Sequence, residues 1–154
     1  MHTVLDVNAR DWEEEVLRSD KLTLVDFWHE RCPWCIRLNP IFQEAAEEYK
    51  GKVKFVKLNI LEDPKNREIA IRYGVMGTPT LIFFCAGRPV EEVVGFMPKE
   101  RLKKILDEML KIHKESRPND SSQRSRPDQS LERTLSLQRP LEPATLFLHR
   151  LFAP

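Results

Sequence analysis

Cys32 and Cys35, three positions apart, are the residues of this chain best suited to do chemistry. They follow an apolar, strand-like run (22–28) and the polar turn His29-Glu30-Arg31, and they open a helix-like segment whose first residue is Pro33. Proline fits there because the N-H it lacks would have no partner in the first helical turn. Cys32 therefore falls at the helix cap, facing free N-H groups and the positive end of the helix dipole. Both favour a thiolate, and Arg31 adds a positive charge, so the Cys32 pKa is expected to be depressed. Cys35, one turn on, lies on the same helix face within disulfide reach but deeper. This order gives attack to Cys32 and resolution to Cys35. A substrate disulfide opens into a mixed disulfide, and Cys35 then displaces the reduced product and closes the Cys32-Cys35 bond. Two electrons move without a cofactor.

A C-x-x-C pair is also half of a zinc or iron-sulfur site, which needs about four ligands. The remaining candidates are Cys85, His2, His29, His113 and His149, and none forms a second pair at ligand spacing. No metal is expected. Cys85, at the end of an apolar run, reads as a small packing residue. With only three cysteines in the chain, stapling of a secreted domain is not the pattern, and redox chemistry is.

An α/β frame must position the pair. Runs rich in β-branched and aromatic residues at 22–28, 53–60 and 80–85 read as strands. The segment 90–94 follows the turn Ala86-Gly87-Arg88-Pro89 and should pair antiparallel with the strand before it, giving a mixed sheet. Helices are expected at 11–18, 33–49, 65–72 and 98–113. In the last of these Leu102, Ile105, Leu106, Met109 and Leu110 recur with helical spacing. Pro40 falls inside the second helix and is expected to kink it. Asp26 is a lone carboxylate in an apolar strand, where desolvation should raise its pKa and suit it to accept and return a proton.

The 154 residues suffice for one domain with a full core, and 41% of them are hydrophobic. A formal net charge of +1, from 25 basic and 24 acidic residues, gives no field that would recruit nucleic acid. The N-terminus lacks a signal-like start, and no run of about 18 apolar residues offers a membrane span. A cytoplasmic location is the expectation. Residues 116–129 hold no apolar side chain and cannot bury enough surface to offset chain entropy. The chain is thus divided into a domain at 1–115 and a disordered tail at 116–154, whose leucine-containing end (141–152) carries no legible function.

The segment Val25-Asp26-Phe27-Trp28-His29-Glu30-Arg31-Cys32-Pro33-Trp34-Cys35, continued to Pro40, resembles the active-site segment of thioredoxins. Lys57-Leu58-Asn59, Tyr73-Gly74-Val75, Gly77-Thr78-Pro79-Thr80 and Val94-Gly95 follow in that family's order and spacing, so the likeness spans residues 1–113. The resemblance implies a thioredoxin fold, with a central mixed β-sheet flanked by helices. It also implies that Pro79 is a cis-proline facing the cysteines and that Thr78 offers backbone hydrogen bonds to an extended substrate. Asp26 would handle the Cys35 proton with Lys57 as its ionic neighbour. Gly95 would permit close approach of substrate, and Trp28 and Trp34 would pack beside the site.

Between the cysteines this chain has Pro33-Trp34, where thioredoxins usually have Gly-Pro, and Arg31 stands where they have Trp. Proline directly after the nucleophile is similar to glutaredoxins. It shifts the expected couple upward, to about −180 to −240 mV against about −270 mV for thioredoxin. The leading function is a protein-disulfide reductase acting on disulfide-containing proteins, monomeric, and recharged by a thioredoxin-reductase-type donor. The alternatives are a glutaredoxin-like enzyme recharged by a low-molecular-weight thiol, and a non-catalytic binding module of the same fold.

Overall fold

The computed structural model describes residues 3–116. The expected disordered tail, apart from Ser116, lies outside the described residues, as does the 141–152 segment. The elements run β1 (Val4–Val7), α1 (Ala9–Trp12) continued by a π-helical turn (Glu13–Leu17), β2 (Leu22–Trp28), α2 (Pro33–Glu48), β3 (Val53–Asn59), α3 (Pro64–Arg72), β4 (Thr80–Cys85), β5 (Arg88–Val94) and α4 (Lys99–Ser116). The strands form one sheet in the order β1-β3-β2-β4-β5. β1 and β2 both pair parallel with β3, and β4 pairs antiparallel with β2 and β5. The sheet is therefore mixed, with β3, β2 and β4 in its interior.

Position in the sheet explains the sequence pattern. Residues 22–27 of β2 are all buried, on both faces, so the strand reads as a continuous apolar run rather than an alternation. One face packs Leu22, Leu24, Phe55, Leu81 and Phe83 against Leu38 and Phe42 of α2 and Leu102 and Leu106 of α4. The other packs Val25, Phe27, Val56, Leu58 and Phe84 against Trp12 and against Ile69 and Ala70 of α3. Trp12 lies at the middle of that second layer, with its ring centroid 5.9 Å from Phe27, 5.7 Å from Tyr73 and 5.4 Å from Phe84. Burying each such large apolar side chain contributes about 1.5 to 3 kcal/mol.

Elements at the sheet edges and at helix ends differ from expectation. β1, absent from the expected strands, is an edge strand of only four residues, too short to show a strand pattern, with Val7 alone buried. β5 starts at Arg88 and contains Pro89, which an edge strand accepts because it has no second neighbour to receive an N-H. α2 carries Pro40 inside its span, as expected. α4 extends to Ser116, three residues beyond the expected 113.

The functional end of the sheet is set by β2 and β4. Because they run antiparallel, with Phe27 opposite Thr80, the C-terminal end of β2 lies beside the N-terminal end of β4. The turn into α2 and the loop into β4 therefore meet.

Candidate active site

Cys32 occupies the N-cap of α2 in an extended conformation, and Pro33 is the first helical residue. The Cys35 N-H donates to Cys32 Sγ at 3.2 Å, so the cap is the sulfur itself. The two cysteines form a disulfide with Cα atoms 5.2 Å apart. Both are buried, Cys35 at 2% exposure and Cys32 at 6%, which keeps the expected order with little margin. His29 ties the preceding turn together. Its carbonyl accepts the Cys32 N-H at 3.3 Å, and its Nδ1 accepts the Arg31 N-H at 3.2 Å.

The loop before β4 brings up the opposing wall. The Thr78-Pro79 peptide bond is cis, and the Thr78 carbonyl oxygen lies 3.4 Å from Cys32 Sγ. Gly95, at φ +92°, donates its N-H to the Pro79 carbonyl at 2.8 Å. The Thr80 hydroxyl donates to the Gly77 carbonyl at 2.6 Å and braces the loop. Cys32, Cys35, Thr78, Pro79 and Gly95 thus come together, from three separate segments of the chain.

Trp34 is half exposed. Its ring centroid is 5.7 Å from that of Phe96, and the Arg37 guanidinium lies 5.0 Å over it. Met76, close before Thr78-Pro79, is 99% exposed, an unusual placement for a large apolar side chain. Neither Met76 nor Phe96 was singled out by the sequence. The signal available was position: each directly adjoins a glycine of a motif already recognised, Gly77 or Gly95.

Beneath the helix lies Asp26, 1% exposed, with no hydrogen-bond partner for either carboxylate oxygen. Burial raises its pKa to about 7, opposed by the Lys57 charge. Lys57 is its register neighbour on β3, but the ammonium is directed elsewhere. It donates to Asn39 Oδ1 at 2.7 Å and sits 4.0 Å over the Trp28 ring. Trp28 therefore faces the lysine, with its indole N-H buried and unpartnered. Asn39 was not foreseen. It is four residues after Cys35 and so shares its helix face, a spacing that would have flagged it as a polar residue turned toward the site. Near the turn, Asn59 donates to Glu30 Oε2 at 2.8 Å, and this bond holds the Glu30 carboxyl below its usual range.

Cys85 lies at the opposite end of β4, roughly 20 Å along the strand from Pro79, with its sulfur 2.9 Å from His113 Nδ1. That separation puts it out of reach of the Cys32-Cys35 pair. Among the described residues no group of three or more His, Cys, Asp or Glu side chains is arranged to hold a metal.

A cysteine pair capping a helix, set against a proline loop on a mixed five-stranded sheet, defines a protein that carries a redox-active dithiol. The family model for thioredoxin matches residues 3–108. The chain is 40% identical over 107 residues to the thioredoxin of Staphylococcus aureus, covering 70% of this chain and 98% of that one. It is 38% identical over 105 residues to the thioredoxin of Chlorobaculum thiosulfatiphilum and 39% identical over 105 residues to thioredoxin 2 of Chlorobaculum tepidum. Each match covers 68% of this chain and 94% of the relative. The chain belongs to the thioredoxin family and is a thiol-disulfide oxidoreductase. These matches do not favour the glutaredoxin alternative that Pro33 had suggested. No helix among the described residues is long and apolar enough to cross a membrane.

Proposed function

We propose that the protein reduces disulfides in other proteins, with Cys32 as nucleophile, Cys35 as resolving thiol and Asp26 as the group that takes and returns the Cys35 proton. The observation that carries this is the Cys35 N-H pointing at Cys32 Sγ at 3.2 Å. The same donor that caps the helix also stabilises negative charge on the attacking sulfur. Attack on a substrate disulfide forms a bond between Cys32 and one substrate sulfur and expels the other as a thiolate. Cys35 then loses its proton to Asp26, attacks Cys32 and releases the second substrate thiolate. Two electrons pass from the protein to the substrate.

Substrate is held on the rim. The backbone at Thr78 and the open space over Gly95, where an added Cβ would meet nothing within 4 Å, suit an extended chain lying across Pro79, and the rings of Trp28 and Trp34 border it. Lys57 tunes Asp26 electrostatically. Residues 1–115 carry all of these groups and form the working domain. A thioredoxin-reductase-type donor restores the dithiol, in a compartment that keeps thiols reduced, the cytoplasm, and the protein acts as a monomer.

The test is insulin-disulfide reduction with alternative electron donors. Cys32→Ser is expected to abolish turnover, and Cys35→Ser to halt it as a trapped mixed disulfide. Turnover that survives in both variants would sink the reading. The Pro33-Trp34 pair carries a separate expectation, a couple of about −180 to −240 mV. Equilibration against glutathione checks it, and a value at or below about −270 mV would remove it.

A further inference from the structure

Lys57 has three acceptors within its surroundings and uses the one that carries no charge. Asp26 on β2 and Asp6 on β1 are both its register partners, so the lysine stands between two carboxylates. Its ammonium nevertheless donates to the Asn39 side-chain oxygen at 2.7 Å and rests 4.0 Å over the Trp28 ring. Both oxygens of Asp26 are left without a hydrogen bond in a site 1% exposed.

We propose that Asn39 is a positioning residue that holds the Lys57 ammonium off Asp26, leaving the buried carboxyl free to exchange a proton with Cys35. This rests on the reading of Asp26 as the base for Cys35. An amide suits the task because it pins a cation without adding charge beneath the helix, and the Trp28 face supplies the second support. A lysine released from both would turn its flexible stem toward the nearest buried carboxylate. An opposite charge at that range lowers a carboxyl pKa by roughly 1 to 3 units and makes it a poor base for a thiol. The burial that pushes Asp26 up to about 7 would then be offset more fully than it is by the Lys57 charge in its present position.

The other charged groups facing this region are Asp6 from β1 and Glu44 and Glu47 from α2, which line a cavity of about 400 Å³ with Lys57. Glu30 and Glu62 line a second cavity, of about 480 Å³, that Asp6 and Lys57 also border. All are acidic, so none competes for Asp26. They could hold a released ammonium instead, and this outcome the experiment separates.

The experiment follows the Asp26 carboxyl by NMR of aspartate-labelled, reduced full-length protein across pH. Asn39→Ala is expected to lower the Asp26 midpoint by roughly 1 to 3 pH units, and Lys57→Met to raise it above the parent value. Asn39→Ala in the Lys57→Met background is expected to change nothing, because Asn39 acts through the lysine. Asn39→Asp, which keeps the acceptor oxygen and the fold, is expected to hold the midpoint at or above the parent. An unmoved midpoint in Asn39→Ala, as when the surface carboxylates capture the lysine, overturns the proposal. So does an equal drop with and without Lys57. The pH-rate profile of Asp26→Asn reports separately on the underlying reading. An unaltered profile would remove Asp26 as the base while the NMR midpoints still decide the role of Asn39.

Discussion

Asp26 and Asn66 are two polar side chains buried to the same degree, 1% and 0% exposed, on opposite faces of one sheet. The protein treats them in opposite ways. Asn66, at the start of α3, accepts the Ala9 N-H at 2.8 Å and donates to the Asn59 carbonyl at 3.0 Å and to Asn8 Oδ1 at 3.2 Å. It stitches the loop before α1 and the end of β3 to α3, and both its oxygen and its nitrogen are engaged. The Asp26 carboxylate has no hydrogen bond at all. A buried polar group that is fully paired is a structural fastening, whereas one left bare raises the energy of its charged form and is thereby poised to hold a proton.

The largest expected effect that sharpens this contrast is on stability as pH rises from acid to neutral. The Asp26 carboxyl titrates at 3.8 when unperturbed and at about 7 in the fold. Between these values the unfolded chain releases a proton that the folded chain keeps. Stability is therefore full below the lower value, declines as pH rises through the window and levels off above the upper one. The loss is about 4 kcal/mol. Asp26→Asn is expected to recover most of it at pH 8, with urea titrations at pH 4 and pH 8 as the measurement. A variant no more stable than the parent at pH 8 would mean that the bare carboxyl costs the fold nothing.

Asn66→Ala should act in the reverse direction. It strips the partners from the Ala9 N-H and the Asn59 carbonyl and costs about 2 to 4 kcal/mol at every pH, while activity per folded molecule stays unchanged. A pH-dependent cost, or a loss of turnover in folded protein, would break the division between fastening and function. Smaller still is Tyr49→Phe. The Tyr49 hydroxyl donates to Asp107 at 2.5 Å and joins α2 to α4 far from the cysteines. Its loss should cost about 1 kcal/mol by thermal unfolding, with no change in the pH profile of disulfide reduction.

The same contrast explains what the sequence disclosed. Asp26 was legible because a carboxylate inside an apolar strand is conspicuous, and Cys32, Pro33 and Cys35 were legible because their types and spacing describe a helix start. The interior strands announced themselves through apolar runs. Asn66 and Asn39 were silent, since an asparagine in a helix looks like any surface residue until its partners, 57 or 18 positions away, are known. β1 escaped for a related reason: three of its four residues are not buried, and its membership in the sheet depends on pairing with β3. The Lys57-Asp26 neighbourhood was readable from the resemblance to thioredoxins, but the direction of the ammonium was not, because it depends on Asn39.

The ring closed by Cys32 and Cys35 spans four residues, a sequence separation of three. On the chain-entropy account, the restraint a crosslink puts on the unfolded chain grows with the logarithm of the loop it closes. A ring this small contributes about 2 kcal/mol, where a loop of about 100 residues would contribute about 4.7. Opening the bond therefore costs the fold far less than opening a long-range crosslink would. Neither apolar layer, the one holding Leu38 and Phe42 or the one holding Trp12 on the other face of the sheet, includes the bond in its packing. A battery must survive its own discharge, and placing the bond within a single helical turn gives this protein that property.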